Sequence, residues 1–281
     1  MKIAFLGLGR MGRVLASHVN AEHDLSVWNR TPGAAASLAE AGAQVAGTPA
    51  EAVEGAEVVI TALFGSDAVR DVVTRGPLLL RPGSTWVDIT TVSPAEADEF
   101  AAWAAERGIG YAHSPVIGSL APARARKLGV CLGGEADAVR TATPLVSLWA
   151  DPDRLRIYDT AAKAAADKLV NNLTVAVAIQ GIVEALRLGH SGGLTSEEVF
   201  SALDKSMLSA AKDLKLGVFR DGTFGDTQFS AGLLAKDSRL IVHTSRDPLP
   251  AATAAFASLH AAVADGHGND DFAVIVAPEL G

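Results

Sequence analysis

The sequence predicts an α/β half, a parallel sheet covered by helices on both faces, followed by an all-helical half joined to it through one long helix. Three observations predict it. Over residues 1–160, short β-rich runs alternate with alanine-rich helical segments, the pattern of strand–helix–strand units. From about residue 161, strand-like runs become scarce. Residues 163–190 hold one helical pattern without proline that follows the change. The domains are therefore expected at 1–160 and 161–281.

The elements follow in order. "KIAFLG", "LSVWN", "EVVITAL", "STWVDIT" and "KLGVCLGG" are candidate strands. In "TPGAAASLAEAG", Thr31 is the expected N-cap, Pro32 the first helical residue and Gly42 the stop. "SPAEADEF" repeats that start at Ser93 and Pro94. In the second half "TSEEVFSAL", "FSAGLLAKDSRLIVHTS" and "PLPAATAAFASLHAAVADG" read as helices, and "TSEEVF" puts acidic residues in a first turn, where the helix dipole favours them.

The composition is that of an ordinary globular chain, 49% hydrophobic and 20% charged, with ample core material over 281 residues. The net charge of −8 argues against a nucleic-acid footprint, which needs a basic face. The sole cysteine, Cys131, cannot form an internal disulfide, and its apolar surroundings make it a small buried hydrophobe. The opening "MKIAFLGLGR" is too short for a signal-peptide core. No uninterrupted apolar stretch reaches the ~18 residues of a membrane helix. The expectation is a cytoplasmic protein without membrane or nucleic-acid partners, and no metal site is expected.

"AFLGLGRMG" places Gly7, Gly9 and Gly12 in a G-x-G-x-x-G pattern between the first strand and a helical run. In a Rossmann dinucleotide-binding domain, the first glycine permits a tight turn and the second lets backbone approach a pyrophosphate. The third lets helix pack close to strand. The helix N-terminus then offers N–H groups to the phosphate. NAD-binding chains usually carry an acid about 20 residues later, at the end of the second strand. Here "VWNRTP" places Asn29, Arg30 and Thr31 there instead. Arginine can pair with a 2′-phosphate and stack on adenine, so NADPH is the expected cofactor.

"AAADKLVNNLTVAVAIQGI" begins its helix with Lys168, Asn171 and Asn172, which i+3 and i+4 spacing puts on one face. Asparagine is a poor helix-interior residue. Taken alone, the three residues fit either an exposed helix end or a proton donor with its orienting amides.

Several motifs in order decide between these readings. "GLGRMGRVLASHV", "VWNRTP", "DITTVSP" (Asp88 to Pro94), "ADKLVNN", "EALRLGHSGGLTSEEVFSAL" and "FSAGLLAKDSRL" resemble the β-hydroxyacid dehydrogenase family over nearly the whole chain. That family includes 3-hydroxyisobutyrate dehydrogenases and several semialdehyde reductases. The resemblance implies that Lys168 is the proton donor to a substrate carbonyl and that Asn172 orients substrate and lysine. It places Asn171 and Asp237 beside the substrate, and Met11, Leu63, Phe64, Thr90 and Lys236 beside the cofactor. It also implies pairing through the helical region, hence a homodimer or a multiple of one. The apolar residues of 163–190, spread over more than one face, agree with that.

The sequence departs from the family at its substrate-carboxylate loop, which here reads "HSPVIGS" (113–119). Ile117 stands where relatives carry serine, Gly118 is kept, Ser119 replaces the next glycine and His113 replaces an acid. Isoleucine cannot hydrogen-bond a carboxylate, and burying one without partners is costly. Ala162 and Ala164 replace glycines before the lysine. The expected activity is NADPH-dependent reduction of a small aldehyde or keto acid. The alternatives are an imine reductase, in which the lysine position is typically replaced, and an NADP-binding protein without turnover. A full-size 6-phosphogluconate dehydrogenase is excluded by length.

Overall fold

A computed structural model describes residues 1–31, 33–76 and 80–280. The chain divides into two compact units, Met1–Lys168 and Leu169–Gly281. The first alternates strand and helix: β1 (Lys2–Leu6), α1 (Arg10–Asn20), β2 (Asp24–Trp28), α2 (Ala36–Glu40), β3 (Gln44–Val45), α3 (Pro49–Val53), β4 (Val58–Thr61), α4 (Ser66–Val69, running into a π turn at Arg70–Thr74), β5 (Thr85–Asp88), α5 (Pro94–Ala105) and β6 (Gly110–His113). It continues with β7 (Val116–Ile117), α6 (Leu120–Arg124), β8 (Leu128–Gly134), α7 (Ala136–Val146), β9 (Ala150–Tyr158) and the start of α8 (Ala161–Ser191).

Among the described residues these strands form one sheet, in the order β3-β2-β1-β4-β5-β6 and then β8. The first six run parallel, β8 is antiparallel to β6, and β7 and β9 pair with β8. Side chains alternate across a strand. Ile3 and Phe5 of β1 therefore join one core with Leu15 and Val19 of α1 and Leu145 of α7. Ala4 and Leu6 join the other, with Val53 of α3 and Phe100 of α5. Burial on both faces is why these strands are nearly all apolar.

The five expected strands are present as β1, β2, β4, β5 and β8. β3 and β7 hold two residues each and β6 four, too few to show a period of two. β9 is largely exposed and charged, and carries Pro152. It owes its extended form to pairing with β8 rather than to its own pattern. The expected start of α2 is a correction. Its N-cap is Ala35, not Thr31, because Gly33 turns left-handed (φ +86°) between Thr31 and the helix. Pro32 lies outside the described residues. α5 starts as expected, with Pro94 in the first turn and a reciprocal Ser93–Glu96 capping box.

The second unit comprises the rest of α8, then α9 (Ser196–Ala202), α10 (Ser209–Asp221), α11 (Ala231–Thr244), α12 (Pro250–Ala264) and a 3₁₀ stretch at Phe272–Glu279. Its core joins Ile179, Ile182 and Leu186 of α8 to Leu234, Leu259 and Val276. α10 escapes a sequence reading because lysines occupy buried positions of its inner face. The Lys215 ammonium meets Asp271 at 2.7 Å. Among the described residues α8 alone has the length and composition to cross a membrane. Its run is interrupted by Gln180 and Glu184, and its apolar residues supply much of this core.

The expected boundary at residue 160 marks where α8 begins, but the compact units divide at Lys168. The first two turns of α8 belong to the first unit because small residues seat them there. Ala161 and Ala165 enter its core, and Ala164 packs with Ile117 and Cys131. β8 approaches so closely that a Cβ on Gly133 would lie 2.2 Å from the Thr160 carbonyl oxygen and 3.0 Å from Ala164 Cβ. Gly133→Ala is expected to destabilise the chain by about 1–3 kcal/mol through overpacking. A thermal melt that matches wild type contradicts this seating.

Candidate active site

The glycine loop leaves β1 under tight constraint. Gly7 has φ +102°, and a Cβ there would stand 2.3 Å from the Ala62 carbonyl oxygen. A Cβ on Gly12 would stand 2.1 Å from the Gly7 carbonyl oxygen. Beside Gly9, by contrast, a Cβ would meet nothing within 4 Å. Gly9 caps α1 with extended backbone, and no side chain there bonds to the helix's first N–H groups. An open cradle, an uncapped helix end and close packing at the other two glycines fit a dinucleotide pyrophosphate. Met11 is half-buried and packs against the core beneath.

Asn29 closes this loop from the end of β2. Its Oδ1 accepts from the Leu8 N–H at 2.9 Å and its Nδ2 donates to the Thr31 carbonyl at 3.0 Å. Arg30 and Thr31 are exposed beside it. The loops after β4 and β5 are tied to one another, since the Leu63 N–H donates to Thr90 Oγ1 at 3.0 Å. Phe64, next to Leu63, is 62% exposed.

Asp88, at the end of β5, anchors these loops. Its Oδ1 accepts from Thr61 Oγ1 at 2.7 Å and from the Thr90 N–H at 3.0 Å. Trp86 Nε1 donates to the same Thr61 hydroxyl at 2.8 Å. Asp88 Oδ2 receives the Tyr111 hydroxyl at 3.4 Å, and that hydroxyl lies 3.3 Å from His113 Nδ1. All of these side chains are buried. Burial pushes the Asp88 carboxyl up to about 6, against hydrogen bonds from Thr90, Thr61 and Tyr111 that favour its charge. Burial pushes His113 down to about 3, so its 3.9 Å approach to Asp88 is not an ion pair near neutral pH. The sequence marks Asp88 as part of the family-like "DITTVSP" stretch and His113 as the replacement for an acid, whereas Tyr111, in a four-residue strand, gave no signal.

The loop that follows β6 meets α8. Ile117 is 7% exposed and packs with Cys131 and Ala164. Ala164 stands one turn before Lys168, on the same helical face. The "HSPVIGS" loop, the glycine cradle and Lys168 therefore all belong to the first unit. Lys168 is buried, 8% exposed. The exposed-helix-end reading of that lysine is thereby removed. Gly118 is exposed with φ +131°, and Ser119 is half-buried at the N-cap of α6. Ile117 turns its side chain into an apolar cluster and offers no hydrogen bond.

In the second unit, Asn172 is buried and its amide is fixed on both sides. Nδ2 donates to Asp237 Oδ2 at 2.7 Å, and Oδ1 accepts from Asn171 Nδ2 at 3.2 Å. Asp237 Oδ1 lies 2.7 Å from the Lys236 ammonium, an ion contact without hydrogen-bond alignment. Among the described residues no group of three His, Cys, Asp or Glu side chains is placed to hold a metal ion.

The glycine cradle and the strand order together fit a dinucleotide-binding domain. Comparison with known proteins agrees. Residues 2–158 match the NAD binding domain of 6-phosphogluconate dehydrogenase, and residues 162–278 match the NAD-binding domain of NADP-dependent 3-hydroxyisobutyrate dehydrogenase. The chain belongs to the β-hydroxyacid dehydrogenase family. It is 33% identical over 72% of its length to a probable 3-hydroxyisobutyrate dehydrogenase-like protein of Arabidopsis thaliana, of which the alignment covers 61%. It is 30% identical to the NAD-dependent L-serine dehydrogenase of Pseudomonas aeruginosa, over 98% of this chain and 96% of that one. The solved structure of Psf3 in complex with NADP+ and 2-OPP superposes with a TM-score of 0.84 at 26% identity, covering 98% of this chain and 99% of that one.

His113 and Asp88 have opposite effects on stability as pH changes. The folded-state pKa of His113 lies below its ordinary 6.5, so its contribution is present above pH 6.5 and is lost as pH falls toward 3. That of Asp88 lies above its ordinary 3.8, so its contribution is present below pH 3.8 and is lost as pH rises through 6. Each slope is about 1.4 kcal/mol per pH unit. Between about pH 4 and 6 the two offset each other. His113→Gln removes one arm. Its melting temperature relative to wild type is expected to climb as pH falls from 7 to 4. A pH-independent difference contradicts the assignment.

Proposed function

We propose that this chain is an NADPH-dependent reductase of a small aldehyde or keto acid, with Lys168 as the proton donor. One observation carries the reading. The loop holding Ile117 packs on α8 one turn before Lys168, in the unit that also holds the glycine cradle. A bound nicotinamide supplies the hydride. The chain's own residues do the rest. As negative charge grows on a carbonyl oxygen, the Lys168 ammonium stabilises it and gives up a proton. Asn172, held between Asp237 and Asn171, orients substrate and lysine. By the family resemblance, Met11, Leu63, Phe64, Thr90 and Lys236 would hold the cofactor, and Gly118, Ser119, Asn171 and Asp237 would bind the substrate. Ile117 favours a substrate with no carboxylate at its position, and the half-buried Ser119 is the nearby hydroxyl for a polar group.

Two features support NADPH over NADH. Arg30 stands exposed where NAD-binding chains carry an acid, and the superposing Psf3 structure holds NADP+. NADPH is expected to bind at least tenfold tighter than NADH, about 1.4 kcal/mol. Titration by nicotinamide fluorescence measures this, and an Arg30→Ala variant with unchanged NADPH affinity rejects it. Lys168→Ala is expected to lower carbonyl reduction by ~10²-fold or more while NADPH affinity stays near wild type. A rate screen with short aldehydes, keto acids and cyclic imines supplies the substrate. If imines turn over and carbonyls do not, the imine-reductase reading replaces this one.

We also propose a homodimer, or a multiple of one, in the cytoplasm. On α8, Val170 and Leu188 are 64% and 77% exposed, apolar side chains that a partner subunit would cover. Light scattering at micromolar concentration that finds a monomer rejects the assembly.

A further inference from the structure

Asp167 immediately precedes Lys168, and nothing in the proposed chemistry uses it. Its Oδ2 accepts three hydrogen bonds: from Arg156 Nε at 2.6 Å, from the Tyr158 hydroxyl at 2.8 Å and from the Cys131 thiol at 3.0 Å. Arg156 also reaches Cys131 Sγ at 3.7 Å. Cys131 lies on β8, and Arg156 and Tyr158 on β9, so one carboxylate oxygen pins α8 to two adjacent strands. We propose that Asp167 is a positioning residue for Lys168, fixing the rotation of the helical turn from which the lysine reaches the reacting carbonyl. The inference rests on the reading of Lys168 as proton donor.

The geometry supports position over charge. Successive helix residues are rotated by about 100°, so holding Asp167 at one azimuth holds Lys168 at the next. Around the same turn, Ala161, Ala164 and Ala165 contribute only methyl contacts, which define distance from the sheet better than rotation. Directional hydrogen bonds supply what the methyl groups lack. Asp167 is matched by the Arg156 guanidinium, so the pair adds no net charge beside the lysine. Burial opposes the Asp167 charge, but bonds from Cys131, Tyr158 and Arg156 hold its carboxyl below the ordinary range. Burial and Asp167 push the Cys131 thiol up to about 12, so it is a donor here and not a nucleophile. A displacement of 1 Å at a reacting group can cost about 10²-fold in rate. A loosened α8 turn therefore reads out in turnover.

A double-mutant cycle with NADPH and a carbonyl substrate tests the proposal. Asp167→Ala is expected to lower kcat at least tenfold, with NADPH affinity within twofold of wild type. Asp167→Asn keeps an oxygen that can accept from Arg156 and Tyr158, and should recover most of the loss. In a Lys168→Ala background, Asp167→Ala should cost nothing further, because the two act as one unit. Tyr158→Phe removes a single donor and leaves the fold intact, so it serves if Asp167→Ala melts early. It should lower kcat and spare NADPH binding. Equal losses from Asp167→Ala in both backgrounds, or wild-type kcat in Asp167→Ala or Tyr158→Phe, overturns the positioning role. If Lys168→Ala alone retains wild-type turnover, the proton-donor reading fails and this proposal with it. If Lys168→Ala is inactive while Asp167→Ala is normal, only the positioning role fails.

Discussion

The contact on which the rest of the site depends is the seating of the first two turns of α8 on the sheet. The helix presents small apolar groups to the sheet. Gly133 has no room for a Cβ, and Ala161, Ala164 and Ala165 present single methyl groups. Larger side chains would lift the helix, and Lys168 would move with it. The same contact fixes the loop at Ile117, which packs on Ala164. The Ala164 methyl is accommodated within the apolar cluster that Ile117 completes.

A second constraint acts at the strand ends. Asp88 is buried, and one of its oxygens holds Thr61 and the Thr90 backbone together. Thr90 in turn holds the Leu63 backbone. One carboxylate thereby sets two loops beside the glycine cradle. The cost of burying it is reduced by confining its second oxygen to Tyr111, with a neutral His113 behind. The two oxygens have separate tasks. Oδ1 accepts from Thr61 and the Thr90 N–H, and Oδ2 accepts from the Tyr111 hydroxyl.

The sequence was most legible where a local physical requirement leaves a mark. Gly7 and Gly12 mark close backbone packing, Ser93 with Glu96 marks a helix start, and the apolar strands mark a sheet buried on both faces. It was less legible where tertiary pairing overrides local pattern. β9 is polar and follows β8, and α10 buries two lysines. α2 starts late because Gly33 adopts a left-handed turn that composition did not reveal. Within the site, the K-x-x-N-N spacing put Lys168 and Asn172 on one face, but not the burial of the lysine. The staple at Asp167 was invisible because its donors, Cys131, Arg156 and Tyr158, come from two other strands.

The most direct measurement of the account is a crystal structure of the chain with NADPH bound. The 2′-phosphate is predicted against Arg30, and the pyrophosphate at the start of α1 beside Gly9. The nicotinamide should lie beside Thr90 and Leu63. On its Lys168 side there should be room for a carbonyl carbon about 3–3.5 Å from the ring carbon that gives up hydride. A nicotinamide held away from Lys168, or a 2′-phosphate that makes no contact with Arg30, contradicts the account.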